Sequence, residues 1–437
     1  MKRKLLLLAA GCGLSLSAQA LDANQIKTFT LKNGMKFIVV ESNAIPNANM
    51  YTFWKVGSRN EVPGITGLSH FFEHMMFNGS KKYGPKLFDR TMEAKGGANN
   101  AFTNSDITAY TNWFPASALE SIFDLESDRI AHLSIDPKMV QSERGVVLSE
   151  RSTGLENSNN RALIEEINSV AFTAHPYSWS VIGFESDIKA WTQQDLERYF
   201  HTWYAPNNAV TVIVGDVKFD QVKTLAVKYF EKIPKRAAPP TVRTVEPEQR
   251  GEKRVFVAKE SASTPNLAVA YKVPAVNHAD FFALDVLQAV LAGGKTGRLY
   301  KALVDGQLAT EVSAESIDGF DPGLLYLSAV AAPKVSAVDL EKALLAEVDK
   351  LIKDGISEDE LQKVKNQKVV ELYRAFETIN GTARVLGMSE VFNGDYKKAL
   401  AAPAEYKKLK PADIQAVAAK YLKKSQRTVG VLAAKEE

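Results

Sequence analysis

The sequence predicts an α+β protein of two duplicated domains, each an antiparallel sheet with helices packed on it. Three observations predict this. Short alternating strands are followed by runs of amphipathic helices without regular βαβ alternation, which separates the chain from doubly wound sheets. A helix-then-strand pattern occurs twice, as Asp195-Leu-Glu-Arg-Tyr-Phe-His-Thr-Trp-Tyr before Ala209-Val-Thr-Val-Ile-Val, and as Asp413-Ile-Gln-Ala-Val-Ala-Ala-Lys-Tyr-Leu before Thr428-Val-Gly-Val-Leu. The two helix starts lie 218 residues apart, and Trp203 and Tyr421 keep that offset, a period that means domain duplication rather than a solenoid. Between the copies, residues 235–251 carry Ala237-Ala238-Pro239-Pro240, Pro247 and scattered charge with no period, which reads as a linker.

The elements follow in order. Residues 1–20 combine a basic start (Lys2, Arg3, Lys4), an apolar run over 5–16 too short to span a bilayer, and the small-residue site Ala18-Gln19-Ala20, the pattern of a secretory signal peptide. Export to the periplasm is therefore expected, with lipidation of Cys12 as the lesser alternative. The first domain is expected over 21–234. It begins with strands at 28–31 and 35–41 around the turn Asn33-Gly34, then helices near 67–77, 115–131 and 136–156. The second is expected over 252–437, with strands at 254–258 and 267–271 and helices near 279–292, 337–354 and 358–378.

Composition narrows the function. Of 437 residues, 45% are hydrophobic and 24% charged, which excludes a disordered, collagenous or disulfide-stapled chain and is enough for more than one core. The three basic residues of the leader account for the whole formal charge of +3, so the remainder offers no electrostatic case for nucleic acid. No other segment approaches 18 apolar residues, so no stable membrane span is expected. Cys12 is the one cysteine; cleavage after Ala20 leaves none, and any metal must then be held by histidine and carboxylate.

One short helix concentrates the chemistry. In Gly67-Leu-Ser-His-Phe-Phe-Glu-His-Met-Met-Phe77, Leu68, Phe71, Phe72 and Met75 form an apolar stripe, while His70, Glu73 and His74 share another face. Two imidazoles one turn apart reach one ion, and Glu73 on the same side reaches a water there. This is H-x-x-E-H, the inverse of the H-E-x-x-H zinc helix. A third ligand is needed. Glu143 and Glu150 lie seven residues apart on one face of the helix 137–156, in line with Met139 and Val146, where a carboxylate is costly to bury unless paired or coordinated. Glu93 competes from a mixed-charge stretch, and salt bridges of Glu143 and Glu150 to Arg144 and Arg151 are the bland alternative. Spacing alone leaves this open.

The H-x-x-E-H helix, the following Met75-Met-Phe-Asn-Gly-Ser80 and Glu143-Arg-Gly-Val-Val-Leu-Ser-Glu150 together resemble the pitrilysin/insulinase family of zinc metallopeptidases, in its half-size branch that includes mitochondrial processing peptidase. The resemblance covers essentially all of the chain after the leader. It implies half of a clamshell, one Zn²⁺ per chain on His70, His74 and Glu150, Glu73 as the base, and Glu143 as a supporting acid. Gly96-Gly-Ala-Asn-Asn-Ala-Phe-Thr103 resembles the family's substrate-receiving edge strand, which implies backbone binding at Asn100, Ala101 and Phe102. His175-Pro176-Tyr177 and Asn207-Asn208 match as structural landmarks.

The implied activity is zinc-dependent endopeptidase cleavage of extended peptides or unfolded segments by a water that Glu73 and the metal activate; the alternative is a non-catalytic peptide-binding or scaffold subunit. The family's active clefts also use an Arg and a Tyr from a second-half segment. Arg298 matches the first, but no Tyr stands near Leu308-Ala-Thr-Glu311 and Tyr300 is too early. A homodimer, or a heterodimer with a related subunit carrying that pair, is therefore expected.

Overall fold

The computed structural model describes residues 21–316 and 318–434; the leader read above lies outside them. Among the described residues, eleven strands make two sheets. Strands β1 (Ile26–Thr30), β2 (Lys36–Glu41), β3 (Asn47–Trp54), β4 (Ala98–Thr103), β5 (Thr108–Pro115) and β6 (Ala209–Gly215) are ordered β1-β2-β6-β3-β5-β4. Strands β7 (Lys253–Ala258), β8 (Asn266–Val273), β9 (Ala309–Ser316), β10 (Gly323–Ala331) and β11 (Arg427–Ala433) are ordered β7-β11-β8-β10-β9, the same arrangement without its first strand.

The first half carries helices α1 (Leu68–Met75), α2 (Leu87–Ala94), α3 (Leu119–His132), α4 (Pro137–Asn157), α5 (Asn159–Ala171), α6 (Glu185–Ala190), α7 (Gln193–Trp203) and α8 (Phe219–Tyr229). The second carries α9 (Phe281–Ala292), α10 (Ala337–Asp354), α11 (Glu358–Phe376), α12 (Ile379–Asn393), α13 (Lys397–Lys408) and α14 (Pro411–Tyr421). The helix–strand repeat holds in full: α7 and α14, and β6 and β11, begin 218 residues apart. Among the described residues no helix is long and apolar enough to cross a membrane.

The sheets differ from the expected all-antiparallel form at one pair each. The last strand of each half returns after the helices and inserts beside the first long strand, so β2–β6 and β7–β11 run parallel while the other neighbours are antiparallel. Only a long return path makes such a pair possible. Central β6 is buried along its whole length, consistent with its unbroken apolar run.

Each half lends a helix to the other's sheet. Ala383, Leu386, Val391 and Phe392 of α12 pack on Tyr51, Phe53, Val210 and Val212 of the first sheet. Leu163, Ile167 and Ala171 of α5 pack on Ala268, Ala270, Tyr326 and Leu432 of the second. The approach is close enough to require glycine: a Cβ on Gly387 would fall 2.0 Å from Phe53 Cε2, and one on Gly430 2.6 Å from Ile167 Cδ1. Full burial of each large aliphatic side chain contributes about 1.5–3 kcal/mol, so this exchange couples the halves into one unit. Segment 235–251 forms no helix or strand but is tied down, since Glu246 accepts the N–H groups of Thr173, Ala174 and His175.

Candidate metal centre

Helix α1 is seated before it begins. Gly67 has φ of 87°, and a Cβ there would lie 2.4 Å from the Ile182 carbonyl oxygen, so the turn into the helix needs glycine. Buried Glu61 accepts the N–H groups of Gly67 and Ser69 at 2.7 and 2.8 Å, satisfying donors that a helix start leaves free. Burial pushes the Glu61 carboxyl up to about 8 against those hydrogen bonds. Leu68, Phe71, Phe72 and Met75 are fully buried, which fixes the helix rotation and leaves His70, Glu73 and His74 facing the cleft.

The donors converge with Glu150 of α4. His70 Nε2 and His74 Nε2 are 3.3 Å apart, His74 Nε2 and Glu150 Oε2 3.5 Å, and His70 Nε2 and Glu150 Oε2 3.7 Å. Bonds of about 2.0–2.1 Å in a tetrahedral site place two ligand atoms about 3.4 Å apart, so this triangle has the dimensions of one face of such a site. It is the one metal-capable cluster among the described residues. Burial, the neighbouring His74 and Arg161 push His70 down to about 4, which keeps it neutral and ready to donate a lone pair.

Glu143 stands behind the triangle. Its Oε1 lies 2.7 Å from His74 Nδ1 and its Oε2 accepts from Asn78 Nδ2 at 2.6 Å. With Nδ1 protonated toward Glu143, His74 Nε2 is left as the donor atom, the usual carboxylate–histidine support of a metal site. The contact with His74 holds Glu143 below the usual carboxylate range, burial opposing. Burial alone would lower His74, but the same contact holds it above its ordinary value. His70 Nδ1, by contrast, is buried with no hydrogen-bond partner among the described residues.

Helix α4 corrects one expectation. Its buried positions are Val140, Arg144 and Val147, whereas Val146 is 49% exposed, so Glu143 and Glu150 do not sit on a core stripe. They face α1 and the cleft rim, and the Glu150 side chain is 42% exposed. The salt-bridge alternative is absent: Arg144 donates to the carbonyls of Ile188 and Trp191, and Arg151 pairs with Glu165. Glu93 is exposed on α2 and outside the cluster.

Glu73 lies beside the triangle, and its Oε2 accepts the Thr103 hydroxyl at 2.5 Å. Burial raises its pKa, the direction a base working near neutrality requires. Asn100, Ala101 and Phe102 lie on β4, the edge strand nearest α1, in register with Thr111, Tyr110 and Ala109 of β5. Asn100 Oδ1 accepts the Ala101 N–H at 2.9 Å.

Arg298 is not brought to this site. It forms two hydrogen bonds to Glu360 at 2.9 and 2.7 Å and one to the Gly355 carbonyl, and it does not line the cleft around His70 and Glu150. A carboxylate at the start of α11 satisfies its fork inside the second half. Glu61, Thr103 and Asn78 were not singled out by sequence reasoning. Asn78, one turn beyond His74, had a readable signal; the other two are positioned by tertiary folding.

A family model described as Insulinase (Peptidase family M16) matches residues 37–184, and one described as Peptidase M16 inactive domain matches residues 190–368. The chain is 32% identical over 425 residues to the Zinc protease PqqE of Helicobacter pylori, covering 95% of this chain and 94% of that protein. The chain belongs to the insulinase family. The crystal structure of a protease from Helicobacter pylori superposes with a TM-score of 0.90 at 32% identity, over 93% of this chain and 99% of that one. The periplasmic protease PqqL of Escherichia coli shares the fold, with a TM-score of 0.78 at 20% identity; the match spans 95% of this chain and 48% of PqqL. Within the insulinase fold the His70, His74 and Glu150 cluster lies in the first half, and α9 of the second half carries no H-x-x-E-H.

Proposed function

We propose that this insulinase-family protein is an exported zinc endopeptidase that hydrolyses extended peptides or unfolded protein segments. The observation that carries the reading is Glu73, a half-buried carboxylate beside the His70, His74 and Glu150 triangle: a purely structural metal site or a peptide-binding scaffold has no use for a further acid there. His70, His74 and Glu150 would hold one Zn²⁺, which supplies Lewis-acid chemistry, polarising a carbonyl and lowering the pKa of water to about 7.

The chain's own groups do the rest. Glu143 keeps His74 in the tautomer whose Nε2 faces the triangle. Glu73 takes the proton of the attacking water and returns it to the leaving amine. The free edge of β4 at Asn100, Ala101 and Phe102 receives substrate as an added strand, through main-chain hydrogen bonds that an extended peptide can make and a folded one cannot.

The chain supplies two duplicated domains in the two segments 21–234 and 252–437, and PqqL is about twice as long, which supports a second chain as the facing wall. Since Arg298 is occupied by Glu360, that wall, in a homodimer or a related heterodimer, brings an Arg and a Tyr toward this zinc. The leader at 1–20 and the periplasmic location of PqqL support periplasmic export. Stripping the metal with a chelator and dialysing should abolish hydrolysis of an unstructured peptide, and added zinc should restore it; undiminished cleavage by metal-free protein would refute the proposal.

A further inference from the structure

The cleft beside the metal triangle, about 520 Å³ in volume, holds a guanidinium with no acidic partner among the described residues. Arg161, in the first turn of α5, lines it together with His70, Thr103 and Glu150. The acid one turn further along its own helix, Glu165, is taken by Arg151 through two hydrogen bonds, and Glu315 on β9 lines the cleft without forming an ion pair with Arg161.

The side chain is nonetheless seated. A Cβ on Gly154 would stand 2.5 Å from Arg161 Nη1, so the guanidinium lies against bare backbone one turn beyond Glu150 on α4. Glycine inside a helix is unfavourable relative to alanine. Here its missing side chain leaves the space in which the guanidinium lies, in the cleft that His70 and Glu150 also line.

We propose that Arg161 is a specificity subsite that binds a carboxylate of the peptide substrate beside the scissile bond. An unpaired planar fork recognises a carboxylate through two parallel, charge-assisted N–H donors, and the exposure of Arg161 leaves its fork open to a ligand in the cleft. Two of the carboxylates that line the cleft are already committed, Glu150 to the triangle and Glu165 to Arg151, and the third, Glu315, forms no ion pair with Arg161. The carboxylate comes either from an Asp or Glu side chain or from the free C-terminus of a short peptide. The subsite rests on the endopeptidase reading, and its test is chosen to separate the two.

Binding is measured with full-length, zinc-loaded protein in the Glu73→Gln background, by fluorescence anisotropy of labelled peptides in which one Glu is moved position by position or replaced by Gln, each with a free or amidated C-terminus. The account expects affinity about ten-fold or more higher for Glu than Gln at one position, or for the free over the amidated end, which assigns the source. Adding Arg161→Gln should erase that ratio, and Arg161→Glu should reverse it in favour of Lys. Equal affinities throughout, or a preference that survives Arg161→Gln, would overturn the subsite. Failure of zinc-loaded wild-type protein, assembled with the facing subunit, to hydrolyse any of these peptides would instead overturn the endopeptidase reading, since the charge preference is read from binding alone.

Discussion

Thr103 Oγ1 donates to Glu73 Oε2 at 2.5 Å, joining the last residue of the edge strand β4 to the acid on helix α1. The strand proposed to receive substrate and the group proposed to move its proton are thereby held by one contact. A peptide paired with β4 would be registered against Glu73 without any flexible element between them.

Replacing Thr103 with Val keeps the shape of the side chain and removes the hydroxyl. A hydrogen bond to a charged group is worth about 1.5–3 kcal/mol, so kcat/KM for peptide hydrolysis should fall about ten- to hundred-fold. Zinc content, measured by elemental analysis, should not change, because Thr103 touches no proposed ligand. An unchanged rate would show that the contact does not position the base.

Glu143→Ala tests the group behind the metal triangle. It removes the carboxylate that orients His74, and loss of such a partner lowers metal affinity about ten- to hundred-fold. Competition with a chromogenic chelator measures this directly. Affinity equal to wild type would mean that packing alone orients His74.

Much of the centre was legible because it is local. His70, Glu73 and His74 lie within two turns of one amphipathic helix, and the seven-residue spacing of Glu143 and Glu150 puts both on one face of α4. Which face that was could not be read: Val146 looked like core, but Val140 and Val147 take that place, one residue round the helix. The duplication was visible in two helix–strand copies. The parallel insertion of β6 beside β2 and the exchange of α5 and α12 were not, because each joins segments more than 80 residues apart, and no local pattern encodes a partner at that distance. The Thr103–Glu73 and Arg161–Gly154 contacts are invisible for a related reason: each needs two elements brought together by the packed fold.

The contact between the halves carries a titratable group. Asp106 accepts the Tyr177 hydroxyl at 2.8 and 2.9 Å and pairs with Arg59, which also binds Asp321 of the second half. Burial pushes Asp106 up to about 6 despite Arg59. The folded state therefore keeps a proton that the unfolded state has lost between about pH 4 and pH 6, and the contribution of Asp106 to stability falls as pH rises through that window and is constant above it. Urea unfolding of wild type and Asp106→Asn across this range should show the wild-type stability dropping relative to the variant up to about pH 6. A difference that stays flat or grows with pH would contradict the assignment.

The central claim is that Glu73 performs chemistry at a metal it does not hold. Zinc content and peptide hydrolysis measured together on wild type and Glu73→Gln test it most directly. The account predicts about one zinc per chain in both proteins, with hydrolysis lost by several orders of magnitude in the variant because no base remains to take the water's proton. Wild-type rates in fully zinc-loaded Glu73→Gln would contradict it.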